Sequence, residues 1–186
     1  MGEVGSTGSA GENVGVNSDD LSAKFEEVFD QSIVFHGFAE HLRDYDVFVY
    51  ATADPRTGIR PEYLRYRFTH CVRADTRTAV SPEVWGWSLD ERLLDHQVAV
   101  DLGLEGYVWG VNFQVLYPGM TLVEGSPEAA EWSARLGIPF HEARIETNGH
   151  NLELVFSDLV VSKVEPGFAP FSIPQDGPDF KWPGES

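Results

Sequence analysis

Cysteine is nearly missing from this chain: among 186 residues only Cys71 carries a thiol. A single thiol excludes an internal disulfide and a thiolate metal cage. Basic side chains are scarce as well, 13 Lys and Arg against 30 Asp and Glu, giving a formal net charge of −17. Such a field repels phosphate backbones and anionic lipid, so neither nucleic acid nor a membrane is an expected partner, and a basic protein is. The acidity is not a tail effect. Residues 1–20 hold only Glu3, Glu12, Asp19 and Asp20, and residues 172–186 only Asp176, Asp179 and Glu185 against Lys181. No run of ~18 apolar residues offers a membrane span, and the first residues lack the basic-then-apolar pattern of a signal peptide. The expected location is the cytoplasm.

Catalytic signatures are also lacking. There is no G-x-S-x-G elbow and no P-loop, and Gly103, Gly106 and Gly110 have neither the spacing nor the context of a dinucleotide fingerprint. His36 and His41 stand five apart with Gly37 between them, which fails the one-turn spacing of HExxH. Cys71 sits beside His70 in an alternating stretch, so the two side chains point to opposite faces, the wrong geometry for a Cys–His pair. No catalytic residue, metal ligand or cofactor is therefore assigned.

What the chain does have is 42% apolar residues and 12% aromatics, enough for a real core. Residues 1–19 are Gly/Ser/Asn-rich and read as a disordered leader. Residues 20–171 read as one domain, and 172–186 as a Pro/Gly-rich tail. A helix is expected from Asp19 or Asp20, with Leu21, Phe25, Val28 and Phe29 at helical spacing and Gly37 as its stop. "YDVFVYA" (45–51), apolar on both faces, predicts a central strand. A long period-2 run follows. Leu64, Tyr66, Phe68, His70, Val72, Ala74, Thr76, Thr78 and Val80 share the inward parity, opposite Arg65, Arg67, Cys71, Arg73 and Arg77. That predicts one long strand, or two joined by a bend. Ser81-Pro82 and Ser88 with Glu91 mark helix starts. Residues 107–117 predict a strand with Tyr107, Trp109, Phe113, Val115 and Tyr117 on one face. Ser126, Pro127 and Gly137 delimit a short helix with Ala129, Trp132, Ser133 and Leu136 inward. "LVVSKVE" suggests a last strand. The sum is α+β: a single domain, mainly antiparallel sheet, with a few helices packed on one side.

Asn148-Gly149 in "EARIETNGHNLELVF" predicts a hairpin with a two-residue type I′ turn. The register then pairs Arg144 with Glu153, Ile145 with Leu152 and Ala143 with Leu154, placing the apolar set on one face. Glu142, Glu146 and Asn151 fall on the other face. His141 and His150 share the apolar face but sit at opposite ends, too far apart for one ion.

Candidate binding residues remain. Arg65, Arg67, Arg73 and Arg77 form a basic stripe in an acidic protein, suited to a carboxylate or phosphate group or to an acidic patch. His141, Glu146 and His150 are left over from the hairpin. Trp85, Trp87, Tyr107 and Trp109 are candidates to line a ligand cavity.

Four segments together resemble a known family: "VFDQSIVFHGFAEHLRDYDVFVYATADPRTGIRPEYLRYRF", "SLDERLLD", "GYVWGVNFQVLYPG" and "IPFHEARIETNGHNLELVFSDL". They resemble the YxiG-like domain proteins over roughly Leu21 to Phe171. The resemblance implies a small cytosolic bacterial domain, and some members of that family accompany toxin–immunity loci. It supplies no active site to carry over. The leading expectation is a non-enzymatic protein-binding module of an immunity-like kind. The alternative is a small-molecule-binding protein or enzyme with a pocket near the aromatic strand 107–117 and the Arg stripe 65–77.

Overall fold

The computed structural model describes residues 17–52, 60–82 and 113–171, together with residues 56, 58 and 101. Helix α1 (Ser18–Glu26) starts where Asn17 caps the Asp19 amide, with Asp19 and Asp20 in the positive first turn. Leu21 and Phe25, one turn apart, are buried, as is Val28 just beyond the helix. The helix does not run on to Gly37. Asp30 takes a positive φ of 59° and its N–H bonds the Leu116 carbonyl at 2.9 Å, which turns the chain away. Ser32–Phe38 then forms strand β1, because Ile33 and Val34 are β-branched and a long apolar strand lies alongside to pair with. Phe29, expected inside, is 47% exposed.

Strand β2 (Tyr45–Ala51) is the predicted central strand, third in a five-stranded antiparallel sheet in which β1 is one of its neighbours. The period-2 run is two strands: β3 (Glu62–Thr69) in this sheet and β4 (Arg73–Thr78) in a second. The bend falls at His70, whose φ is 48°. It is fixed by the His70 N–H on Asp44 Oδ1 at 3.0 Å and the Cys71 N–H on the Arg43 carbonyl at 2.8 Å. The turn reverses the expected parity across three residues. Cys71 is buried, while His70 and Val72 face out. Burial does not alternate in β4: Ala74 packs against the core, while Thr76 and Thr78, expected inward, are exposed with Asp75 and Arg77.

The rest of the first sheet is β5 (Gln114–Val115) and β9 (Asp158–Val164), the latter being the expected last strand. The second sheet, order β4-β8-β7-β6, adds β6 (Gly119–Leu122), β7 (His141–Glu146) and β8 (His150–Phe156). Of the expected strand 107–117 only 113–117 falls among the described residues. There Phe113 and Tyr117 are exposed and Leu116, assigned to no face, is fully buried. The predicted helix after Ser88, and Trp85, Trp87, Tyr107 and Trp109, lie outside the described residues.

Helix α2 (Pro127–Leu136) has the predicted ends: Ser126 accepts from the Ala129 amide, Pro127 opens the first turn, and Gly137 closes the helix in the left-handed region at φ 70°. Ala129 is buried, but Leu136 is 54% exposed rather than inward.

The two sheets face each other across one core. Val47, Val49, Tyr66 and Phe68 of the first sheet meet Ile145, Leu152, Leu154 and Phe156 of the second, with Leu21 and Phe25 of α1 in the same cluster. Phe68 and Phe156 pack edge-on, centroids 4.8 Å apart. Each such side chain contributes about 1.5–3 kcal/mol by burial. α2 packs elsewhere, its Ala129 and Trp132 lying with Phe140 and Val155. The fold is α+β, mainly antiparallel sheet.

The hairpin pairs Arg144 with Glu153, Ile145 with Leu152 and Ala143 with Leu154, as the sequence predicts. Its turn is not type I′. Neither Asn148 nor Gly149 takes a positive φ. Thr147 shapes the turn instead, its hydroxyl accepting from the Gly149 amide at 3.0 Å and the His150 amide at 2.9 Å. Asn148 is recruited by β5, accepting the Val115 N–H at 2.9 Å.

Candidate functional site

The Arg stripe does not converge on one site. Arg65 and Arg67 project from the outer face of the first sheet, and Arg73 and Arg77 from that of the second. Asp46, its side chain 3% exposed, takes Arg65 Nη2 at 2.6 Å and Arg67 Nε at 2.9 Å. The register explains this, since Asp46 on β2 lies directly opposite Arg67 on β3. Arg65 also lies over the rings of Phe48 and Phe168, 5.8 and 5.7 Å from their centroids, while the two rings pack on each other at 5.6 Å. Residues 165–171 thus strap this face.

Arg73 reaches across Val155 to Glu142 Oε1 at 2.8 Å and also pairs with Glu128 of α2. Arg77 stands exposed opposite Asn151 and lines a shallow groove of about 290 Å³ with Arg144 and Glu146. The expected Arg144–Glu153 pair forms at 3.6 Å.

The leftover histidines sit at opposite ends of the hairpin. His150 Nδ1 lies 3.0 Å from Gln114 Nε2 on β5. His36 Nδ1 lies 2.7 Å from the Tyr45 hydroxyl, and burial, with a smaller push from His150, holds the His36 pKa below its usual value. His141, at the far end, has its Nε2 buried with no hydrogen-bond partner. Burial lowers its pKa too, against a pull from Asp158. A Ser–His contact occurs where Ser157 Oγ meets His70 Nδ1 at 2.8 Å. The nearby Asp44 carboxylate bonds the His70 backbone rather than its ring, so this contact locks the β3–β4 corner and is not arranged as a triad. Burial pushes the Cys71 thiol up to about 12, so it is a poor nucleophile. Among the described residues no group of three or more His, Cys, Asp or Glu is placed to hold a metal. Among them no helix is long and apolar enough to cross a membrane.

A cleft of about 680 Å³ lies at the His141 end, between α1, the β6–α2 connection and the start of β7. α1 contributes Asp19 and Glu26, the connection Glu124, and β7 Glu142, with Phe25 and Phe140 among the apolar lining and, among the described residues, not one Lys or Arg. Ser126 ties two walls together. It donates to Glu142 Oε2 at 2.5 Å while accepting the Ala129 N–H that caps α2. Glu142 is neutralised by Arg73, whereas Asp19, Glu26 and Glu124 face solvent. The sequence marks Asp19 only as a helix start and makes neither Glu26 nor Glu124 a candidate. Only His141 among its candidates lines the cleft. No local pattern marks these carboxylates, because they come together through three separate elements.

Fold and cleft define the class: a two-sheet antiparallel α+β domain with an acidic cleft at one end of the sandwich. The family model described as YxiG-like protein matches residues 17–174, and the chain belongs to that family. No curated protein and no solved structure matches it.

Proposed function

We propose that the protein is a non-enzymatic binding module, of an immunity-like kind, that docks a basic segment of a partner protein in the acidic cleft. The observation that carries this reading is the cleft's lining among the described residues: carboxylates from three segments, apolar floor residues, and no Lys or Arg. Lys and Arg side chains entering such a cleft lay their aliphatic stems on Phe25 and Phe140 and their charges on Asp19, Glu26 and Glu124. The formal charge of −17 adds long-range steering, which raises the association rate at low salt. The setting that fits is the bacterial cytoplasm. The small-molecule alternative finds no comparable support, because Arg65, Arg67 and Arg73 are engaged by carboxylates of the same chain.

The test is calorimetric titration with a Lys/Arg-rich peptide and with the basic product of a neighbouring gene, at about 50 and about 200 mM salt. The expected outcome is binding that weakens with salt and is abolished in Asp19→Lys/Glu124→Lys. Binding that ignores salt, or that survives the double reversal, overturns the cleft as the docking site, and failure of both probes overturns the reading as a whole.

A further inference from the structure

At the opposite end of the hairpin from the cleft, the two sheets are joined by side-chain and backbone hydrogen bonds. Strand β5 belongs to the first sheet and the β7–β8 turn to the second. Val115 and Asn148 exchange two hydrogen bonds, Val115 N–H to Asn148 Oδ1 at 2.9 Å and Asn148 N–H to the Val115 carbonyl at 3.2 Å. Beside them the Gln114 amide grips His150 twice. Its Oε1 accepts the His150 backbone N–H at 3.0 Å, and its Nε2 faces His150 Nδ1 at 3.0 Å.

A backbone N–H can only donate, so it dictates which end of the amide is which. Oε1 must face the backbone and the NH2 must face the ring. With the NH2 toward the ring, the contact is a hydrogen bond only when His150 Nδ1 carries no proton and accepts. A proton on Nδ1 sets donor against donor. Flipping the amide sets its NH2 against the His150 backbone N–H, which keeps the Thr147 hydroxyl as an acceptor but loses Oε1. We propose that Gln114 and His150 form a proton-sensitive staple between the two sheets, closed while His150 is neutral and released when it is protonated.

The surroundings reinforce the device. His36 of β1, close enough for His150 to lower its pKa, is bonded to Tyr45 of β2. β4 presents Thr78 opposite His150, and the turn presents Thr147 and Asn148. No carboxylate among these neighbours is placed to welcome the new charge, and a second proton on His36 repels it. β5 is two residues long and pairs with β1 at two register positions, and its chain is anchored next door by Leu116, which is buried and bonds both Asp30 and Gln31. Release therefore loosens β5 from the hairpin tip and leaves the rest of the sandwich paired.

Hydrogen exchange on the full chain tests this, read as protection factors across about pH 8 to about pH 5, the window in which imidazole titrates. Protection of the Val115 and Asn148 amides is expected to fall at least about tenfold on acidification while that of Ile145, in the interior of β7, holds. In Gln114→Glu the carboxylate accepts from both the backbone N–H and a protonated ring, so the expected pH response reverses and protection rises as His150 gains its proton. A merely structural Gln114 gives the variant a uniform loss at every pH. Wild-type protection that is flat across the window, or a Gln114→Glu response in the wild-type direction, overturns the proposal. Parallel loss at Ile145 also overturns it, since the event is then global unfolding.

Discussion

Asp46 holds two guanidiniums with one buried carboxylate. The sequence makes the Arg stripe conspicuous and its partner inconspicuous, because Asp46 sits inside an apolar strand. The signal was nonetheless present: an acid in a central strand is buried, and a buried charge needs a cation opposite it. Breaking such a pair from one side strands the other charges. Asp46→Asn is expected to destabilise the fold by about 2–4 kcal/mol, less than a fully enclosed pair because Arg65 and Arg67 are partly exposed. Urea unfolding of the variant checks it, and a loss under about 0.5 kcal/mol, the scale of an ordinary surface substitution, contradicts the structural role. Cys71 and His70 carry a related lesson. Period-2 counting assigned each to the wrong side, since one positive φ resets the count and sequence alternation does not register it.

Helix α2 was legible from end to end, because caps are local chemistry. Ser126, Pro127 and Gly137 each satisfy or avoid a backbone group within four residues. What was not legible is that Ser126 also donates to Glu142, linking the cap to the cleft wall and, through Glu142, to Arg73. Ser126→Ala therefore removes a cap and leaves a carboxylate short of one donor. The expected cost is about 1–2 kcal/mol, against the ~1 kcal/mol of a cap alone, and combining it with Glu142→Gln in a double-mutant cycle should show coupling. Strictly additive losses in that cycle mean the two groups act independently. α1 shows the opposite case. Helical spacing continues through Val28 and Phe29, but Ser32–Phe38 is a strand because β2 offers it a full set of ladder bonds.

Across the whole molecule, acid acts against the folded state through buried imidazoles. His36 and His141 both have pKa values held below 6.5 by burial. The unfolded chain thus binds more protons than the folded one as pH drops. Their contribution is intact above pH 6.5 and is lost as pH falls through the depressed folded values. Denaturant midpoints should accordingly fall between about pH 7.5 and about pH 5.5, and His36→Phe and His141→Phe should each flatten the slope. A pH-independent midpoint, or variants that leave the slope unchanged, rules out this origin.

The sequence by itself determined the features whose causes are short-range. These are the ends of α2, the central strand 45–51, the hairpin register and the pairing of Arg144 with Glu153. A two-residue loop and a period of two leave only one register that buries Ile145 and Leu152 together. Tertiary structure decided what depends on distant partners. It set the Thr147-based turn, with Asn148 drawn to Val115, and it split 62–78 between two sheets. It turned a helical pattern at 32–38 into a strand, and it gathered Asp19, Glu26, Glu124 and Glu142 around one cleft. The reason is that sterics and capping act within a few residues, whereas burial and charge pairing are settled only when remote segments meet.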